Sequence, residues 1–541
     1  MNKLAVFVLG ALLIMNTAFA GGILTNSNQS AQFVRMLSRN ASTDLDAVYF
    51  NPAGLTQMKN GFYFSLHNQT IFQTKTITSE FGQNMSPKLP LLYDKYEGVV
   101  KAPVFPSAFA VYKNDNWAFS AGFGPNAGGG SAKYDNGLPS FEKQIARLVP
   151  AMSSLSSLGY PVTAYDVDIS FEGTSVFWGI QAGATYKVNK AVSVYLGARY
   201  VPAINTYKGS ITNIQIGQSG ALQNAQTYLA GAAGVATAKS QATAAAAASL
   251  QPLVAGGAGN YTLAQVQAAG YISAAQRAQI EAGLQQLGLT SAQISAMSVS
   301  TAQTTYSSTS TTLAAVATSL NSKIPALADK RVDTKQTGSG ITPIIGLDIH
   351  LNKLNVGLKY EHKTYLTLKN STTVDDISMF PDGQKTPSDI PAIIAGGADY
   401  ELTNKLKVSG SFDVYLDKNV EWGNNIYGVH RTIDKNYVEL AFGAEYKLTD
   451  TFKLSAGYLN SNTGVGESYQ SDFGFSNDSY TVGMGFQWNL NERLTLDAGM
   501  MLTTYNDYTK TFVEAAPIGT YTETYGKDTF TLGFGIAYKI F

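Results

Sequence analysis

The sequence predicts an all-β protein, a transmembrane antiparallel β-barrel of about 14 strands. Three observations predict it. Segments of eight or more residues alternate apolar with small or polar side chains, a period of two that belongs to strands with distinct faces. Their connections sort by length, short turns at one end and long loops at the other. Only 14% of the 541 residues are charged, while Tyr (31) and Gly (51) are abundant; aromatic girdles at two membrane interfaces use Tyr, and a crowded barrel interior uses Gly.

The first 20 residues read as a cleaved signal peptide. Lys3 precedes an apolar run from Leu4 to Met15, and Ala18-Phe19-Ala20 precedes Gly21, so the mature chain is expected to begin at Gly21. The apolar run is shorter than the roughly 20 residues needed to cross a bilayer as a helix. No Cys follows it, or occurs anywhere, which excludes a thiol-linked lipid, a disulfide framework and thiolate metal sites. Beyond residue 20 no stretch approaches 18 consecutive apolar residues, which argues against a helical membrane bundle. A soluble chain of this length would divide into several domains with charged surfaces. The formal net charge of zero, with no basic run, leaves no electrostatic footprint for nucleic acid.

Six turns share one chemistry: an aromatic or apolar residue ends one strand, polar residues reverse the chain, and a hydrophobe opens the next. They span Tyr112–Trp117, Tyr186–Ala191, Ile349–Leu354, Tyr400–Leu406, Tyr446–Phe452 and Trp488–Leu494. Strands are expected near 60–72, 106–113, 117–124, 174–187, 191–207, 338–351, 354–370, 390–401, 405–418, 436–448, 452–460, 477–488, 492–509 and 528–540. The count is even and both termini fall on the short-turn side, as in bacterial outer-membrane barrels, with short periplasmic turns and long extracellular loops. The Ala-, Gln-, Ser- and Thr-rich tract 218–330 interrupts the pattern on the long-loop side. Its helical spacing, clearest from Tyr261 to Met297, is set in low-complexity composition, so it is expected to be an extracellular loop insertion that acts as a spacer or binds a partner. Residues 137–159, with Leu138, Phe141, Ile145, Leu148 and Met152 at helical spacing, are placed to cover a barrel mouth.

Ahead of the first strand stands Asn40-Ala-Ser-Thr-Asp-Leu-Asp-Ala-Val-Tyr-Phe-Asn51-Pro52-Ala53-Gly54-Leu55. With the strand count and the later hairpins Ile390-Pro-Ala, Phe442-Gly-Ala-Glu-Tyr and Leu454-Ser-Ala-Gly-Tyr458, this resembles the FadL/TodX family of outer-membrane transporters of long-chain fatty acids or aromatic hydrocarbons. The resemblance covers nearly the whole mature chain outside 218–330. It implies an N-terminal hatch, residues 21–59, inside a barrel formed by 60–541, with Asn51, Pro52, Ala53 and Gly54 as its motif. In place of that family's glycine-rich run stands Phe33-Val-Arg-Met-Leu-Ser-Arg39.

Parity locates the charges. If Val356, Leu358 and Tyr360 face lipid, then Lys359, Glu361 and Lys363 face the lumen, as Arg199 does in its own strand; a Lys or Arg facing lipid at mid-depth would cost roughly 2–4 kcal/mol. Arg199 and Lys359 are the candidate ligand-binding residues, as captors of a carboxylate head group, with a lumen ion-pair network as the alternative. In the third strand, Phe119, Ala121 and Phe123 face lipid, and Gly122, Gly124 and Pro125 interrupt the pattern; Pro cannot donate to a ladder. A lateral opening is expected there, or else a plain strand end. The resemblance implies a kink in that strand beside Asn51, Pro52 and Ala53. No zinc-peptidase, nucleophile-elbow or phosphate-loop motif is present, so the chain reads as a non-enzyme without cofactor or metal. The expected function is passive uptake of a hydrophobic compound across the outer membrane of a Gram-negative bacterium, with lateral release into its lipid. Long-chain fatty acid is favoured, aromatic hydrocarbon is the alternative, and a general porin or an adhesin using the Ala-rich loop is the rival class.

Overall fold

The computed structural model describes residues 25–421, 423 and 429–541; the expected signal peptide lies outside them. Two compact units are present, one of Met1–Gln144, Asp168–Ile211 and Lys330–Phe541, the other of Ile145–Val167 and Thr212–Asp329.

The first unit is a closed antiparallel barrel whose wall has 14 strands among the described residues. They are β1 (Gly61–Ser79), β2 (Lys95–Asn114), β3 (Trp117–Tyr134), β4 (Ala164–Lys187), β5 (Val192–Gln218), β6 (Lys330–Leu351), β7 (Leu354–Glu361, resuming at Thr367–Asp375), β8 (Lys385–Pro387, resuming at Ile393–Glu401), β9 (Leu406–Tyr415), β10 (Tyr437–Lys447), β11 (Phe452–Asn462), β12 (Ser479–Asn489), β13 (Leu494–Tyr505, resuming at Tyr508–Val513) and β14 (Thr520–Lys539). β14 pairs with β1 from Tyr63↔Lys539 to Ser79↔Glu523. That closure leaves the sheet without an edge, the condition for a strand protein to sit in hydrocarbon.

The expected faces hold. On β5, Leu196 is 70% exposed while Arg199 is 2% exposed, and on β10 Phe442 is 64% exposed against 5% for Glu445. The inversion of the usual rule, apolar out and charged in, identifies lipid as the outer solvent of a transmembrane β-barrel. No helix among the described residues is long and apolar enough to cross a membrane.

All 14 expected strands are found, yet several run well past their expected ends on the long-loop side: β1 reaches Ser79, β2 starts at Lys95, β5 reaches Gln218 and β6 starts at Lys330. The extensions mix polar and apolar residues, as in Gln73-Thr-Lys-Thr-Ile-Thr-Ser79. Beyond the hydrocarbon the outer face can be polar, so the regular alternation that reports a membrane strand fades while the ladder continues.

In the second unit, the helices Ala225–Leu253 and Val299–Lys323 pack together, joined by Ser240 Oγ to Ser310 O at 2.8 Å. Three short helices between them, Leu263–Ala268, Ala274–Gln286 and Ser291–Ala296, each start at a capping box, on Thr262, Ser273 and Thr290. Reciprocal capping satisfies backbone donors that a short helix cannot satisfy itself. Leu250, Val266, Leu284, Ile294, Val299 and Tyr306 are buried together. Low complexity in the sequence therefore conceals a core, because Ala-rich faces let helices approach closely enough for a few large residues to fill the space between them.

Candidate functional site

Residues 29–56 are almost all buried, and they lie inside the barrel, bonded to inward-facing side chains around most of its wall. Ser30 caps the short helix α1 (Ala31–Arg35) by accepting from Phe33 N. Arg35 then donates to Asp497 of β13 (2.8 Å), and to Glu445 of β10 (2.7 Å) and Ser455 of β11 (2.9 Å). Gln32 donates to the second Asp497 oxygen at 2.8 Å. Arg39 folds the next stretch on itself, reaching Asp46 through Nε and Nη2 and also Ser42 and Asp44. Such pairs offset the desolvation of a buried guanidinium only when several acceptors are supplied at once, and here they are.

Space for this segment comes from the wall. A Cβ on Gly457 of β11 would lie 2.6 Å from Leu37 N, and one on Gly357 of β7 2.2 Å from Asn40 O. After helix α2 (Ala47–Phe50), Asn51-Pro52-Ala53-Gly54 starts a 3-10 turn running to Gln57. Asn51 Nδ2 donates to Asp348 of β6 at 2.7 Å, Pro52 O accepts from Thr185 of β4 at 2.7 Å, and Ala53 is buried with Tyr195 and Ile344. Gly54 leaves room for Asn51, whose Nδ2 would lie 2.6 Å from an added Cβ.

The ladder of the wall is interrupted in more than one place, and the β2–β3 interruption is the one that meets the start of this segment. Between β2 and β3 the ladder runs from Asn114↔Trp117 to Ala108↔Phe123 and resumes only at Val99↔Lys133. On its other edge β3 shifts register against β4 twice, between Pro125 and Ala127 and between Ala127 and Gly130. The backbone groups freed by the interruption find partners in the start of the interior segment. Asn26 N donates to Asn126 O at 2.9 Å and Gln29 Nε2 to Pro125 O at 2.8 Å; Thr25 forms an antiparallel bridge with Ala127, and Ser107 Oγ donates to Gln29 O at 2.5 Å. Gly124 allows this fit, since its Cβ would lie 2.8 Å from Gln29 Oε1.

Behind the interruption is a small cavity of about 10 Å³, lined by residues that include Tyr49, Phe109, Gly122, Gly124, Gln181 and Arg199. That is room for about one water, so a larger molecule passes only if the lining moves. Arg199 donates twice to Glu361, at 2.6 and 3.0 Å, and twice to Gln181 Oε1. Lys359 reaches Glu361 at 2.8 Å and Tyr49 O at 2.7 Å. Both cations lie over the Tyr49 ring, 4.8 and 4.6 Å from its centroid.

Thus Arg199, Gly122 and Gly124 border one cavity, while Pro125 lies outside its lining and accepts from Gln29, which is part of it. Lys359 joins Arg199 through Glu361. Asn51 and Pro52 bond to β6 and β4, and Gln29, Val48 and Tyr49 line the cavity beside the interruption. Glu361 and His362 point to opposite faces, His362 being exposed and hydrogen-bonded to Tyr360. No group of His, Cys, Asp and Glu among the described residues is arranged to hold a metal. Sequence reasoning missed Arg35, Asp497, Glu445 and Gln29. The first three were detectable in principle, because parity puts Asp497 and Glu445 inward, where a carboxylate needs a cation, and Arg35 lies in the segment assigned to the lumen.

An outward-apolar barrel of 14 strands with its N-terminal segment folded inside and an interrupted β2–β3 seam defines the structural class. Within that class the fold is that of a Pseudomonas aeruginosa FadL homologue, to which the chain is similar with 12% identity over 96% of this chain and all of that one, at a TM-score of 0.57. The Pseudomonas putida toluene transporter TodX is 11% identical over 92% of this chain and 95% of its own, at a TM-score of 0.46. The Ralstonia pickettii toluene transporter TbuX is 13% identical over 92% and 94%, also at 0.46. No protein-family model and no curated protein matches the sequence.

Proposed function

We propose that the chain is an outer-membrane transporter of the FadL/TodX type, in which residues 21–59 act as a hatch and a hydrophobic compound leaves the lumen sideways through the β2–β3 interruption. The observation that carries this reading is the seam itself: between Val99 and Ala108 β2 has no strand partners on β3, and Gly124 and Asn126, on the unpaired stretch of β3, line the cavity bordered by Arg199. Lateral release is the economical route for such cargo, since an acyl chain delivered to water would forfeit about 0.8 kcal/mol per methylene. Long-chain fatty acid is the favoured class. Arg199 and Lys359, both over the Tyr49 ring beside the cavity, are the cations that could take a ligand carboxylate.

The test is a cross-link. Thr25 and Ala127 face each other in a β-bridge, which suits disulfide geometry, and the chain has no other Cys. Oxidised T25C/A127C protein should stop taking up radiolabelled palmitate, and reduction should restore uptake. Full uptake by protein verified as cross-linked would place the exit elsewhere.

A further inference from the structure

Four arginines head the fully buried side chains: Arg35, Arg39, Arg199 and Arg431. The first three hold carboxylates. Arg431 does not. It is 1% exposed, and Nε, Nη1 and Nη2 all lack an acceptor among the described residues. Its backbone is fixed: Arg431 N donates to Gly423 O at 2.8 Å, Thr432 N to Ser468 Oγ at 2.9 Å, and Ile433 bridges Val465. The unmet guanidinium is therefore held in place by the loops that carry it. Buried polar groups left in this condition are rare and call for an explanation, an absent partner among them.

The surroundings are aromatic. The Tyr469 ring centroid lies 5.1 Å from the guanidinium carbon. Tyr207, which also acts electrostatically on Arg431, stacks on Phe380 at 5.2 Å and approaches Phe473 at 6.1 Å; Phe473 in turn meets Phe171 at 5.1 Å. Beside Nη2 stands Gly474, which brings no side chain; a Cβ there would be 3.6 Å away. A forked donor in an apolar, ring-walled setting is matched by a planar anion attached to a hydrocarbon, the anion taking two parallel N–H bonds and the hydrocarbon lying along the rings.

We infer that Arg431 receives the carboxylate head group of an amphiphilic ligand at the long-loop end of the barrel, a site separate from Arg199 and Lys359. The inference rests on the transport reading and specifies the cargo as an anion with an apolar tail. The site also has a cost in the empty protein, because an uncompensated buried charge destabilises the loops around it.

The experiment compares laurate with dodecanol, which share a tail and differ in charge, binding to the full chain in neutral detergent. Wild type should prefer laurate by at least about tenfold, the worth of a charge-assisted pair. Arg431→Met should abolish the preference while keeping dodecanol affinity, Arg431→Lys should restore part of it, and ligand-free R431M should melt above wild type. Retained heat-modifiable gel mobility verifies that each variant is a folded barrel. An unchanged laurate preference in R431M overturns the assignment, as does equal binding of both ligands by wild type; loss of preference in R199Q alone would move the head group to Arg199. Wild type that binds neither ligand overturns the transport reading itself.

Discussion

The interior segment is fastened very differently at its two flanks. Toward β10, β11 and β13 it is held by Arg35 on Asp497 and Glu445, side chains with at most 6% exposure, and pressed against glycines. Toward β2 and β3 it is held by neutral hydrogen bonds from Asn26, Gln29 and Ser107, across a seam where the strands do not pair. Breaking a buried ion pair by removing one partner costs about 3–5 kcal/mol; losing one neutral hydrogen bond costs about 1 kcal/mol. The difference teaches where motion is cheap. On the proposed route, the segment would release its first residues from the seam while its helix stays anchored, so that a passage would form without ejecting the whole plug.

The sharpest way to break this contrast is Asp497→Ala, which removes the Nε acceptor of Arg35, leaving it Glu445 and Ser455, and the acceptor of Gln32. Hydrogen exchange should rise throughout residues 30–40 by the equivalent of about 3–5 kcal/mol, with the wall still protected. If only residues 25–29 respond, the anchoring has been assigned to the wrong side. Gly457→Val tests the same flank by volume. Its side chain would meet the Leu37 backbone, and overpacking of about 1–3 kcal/mol should appear as faster exchange near Leu37. On the loose flank, Gln29→Ala should cost about 1 kcal/mol, confined to residues 25–29 and 124–128, and should raise uptake of small hydrophobic dyes; a decrease would contradict a release at the seam.

The smallest effect concerns acidity in the loops. Asp417, between β9 and β10, is buried, and burial pushes its carboxyl up to about 7. A raised folded-state value means that stability is complete below the unfolded carboxyl range, near 4, and declines as pH rises toward 7. Protection of residues 416–421, corrected for the intrinsic pH dependence of exchange, should therefore fall between pH 4 and pH 7, and Asp417→Asn should flatten that slope.

Much of the wall was legible because lipid makes the outer face apolar, as with Phe442 beside Gly443, and that regularity survives in any window of eight residues. The polar interior was not, since its partners lie far apart: Arg35 and Asp497 are separated by 462 positions, and nothing local to either names the other. Parity did bring Arg199 and Lys359 inward, yet could not show that Glu361 joins them. Gly122 and Gly124 signalled an irregular strand, but that Gln29 fills the irregularity depends on where the first residues return to the wall. Arg431 gave no sign at all, because a lone Arg in a polar loop is ordinarily solvated.

The pairing of Ile211 with Lys330 suits this barrel to a use of another kind. The chain leaves β5 and re-enters β6 on adjacent strands of one ladder, so the helical unit 212–329 occupies an interval whose two ends are already neighbours. Loop-closure entropy grows only slowly with length, and replacing residues 212–329 by a four-residue turn should leave the barrel assembling normally. The same junction should accept an unrelated domain whose termini lie close together, making the protein a surface display scaffold with a single replaceable cassette.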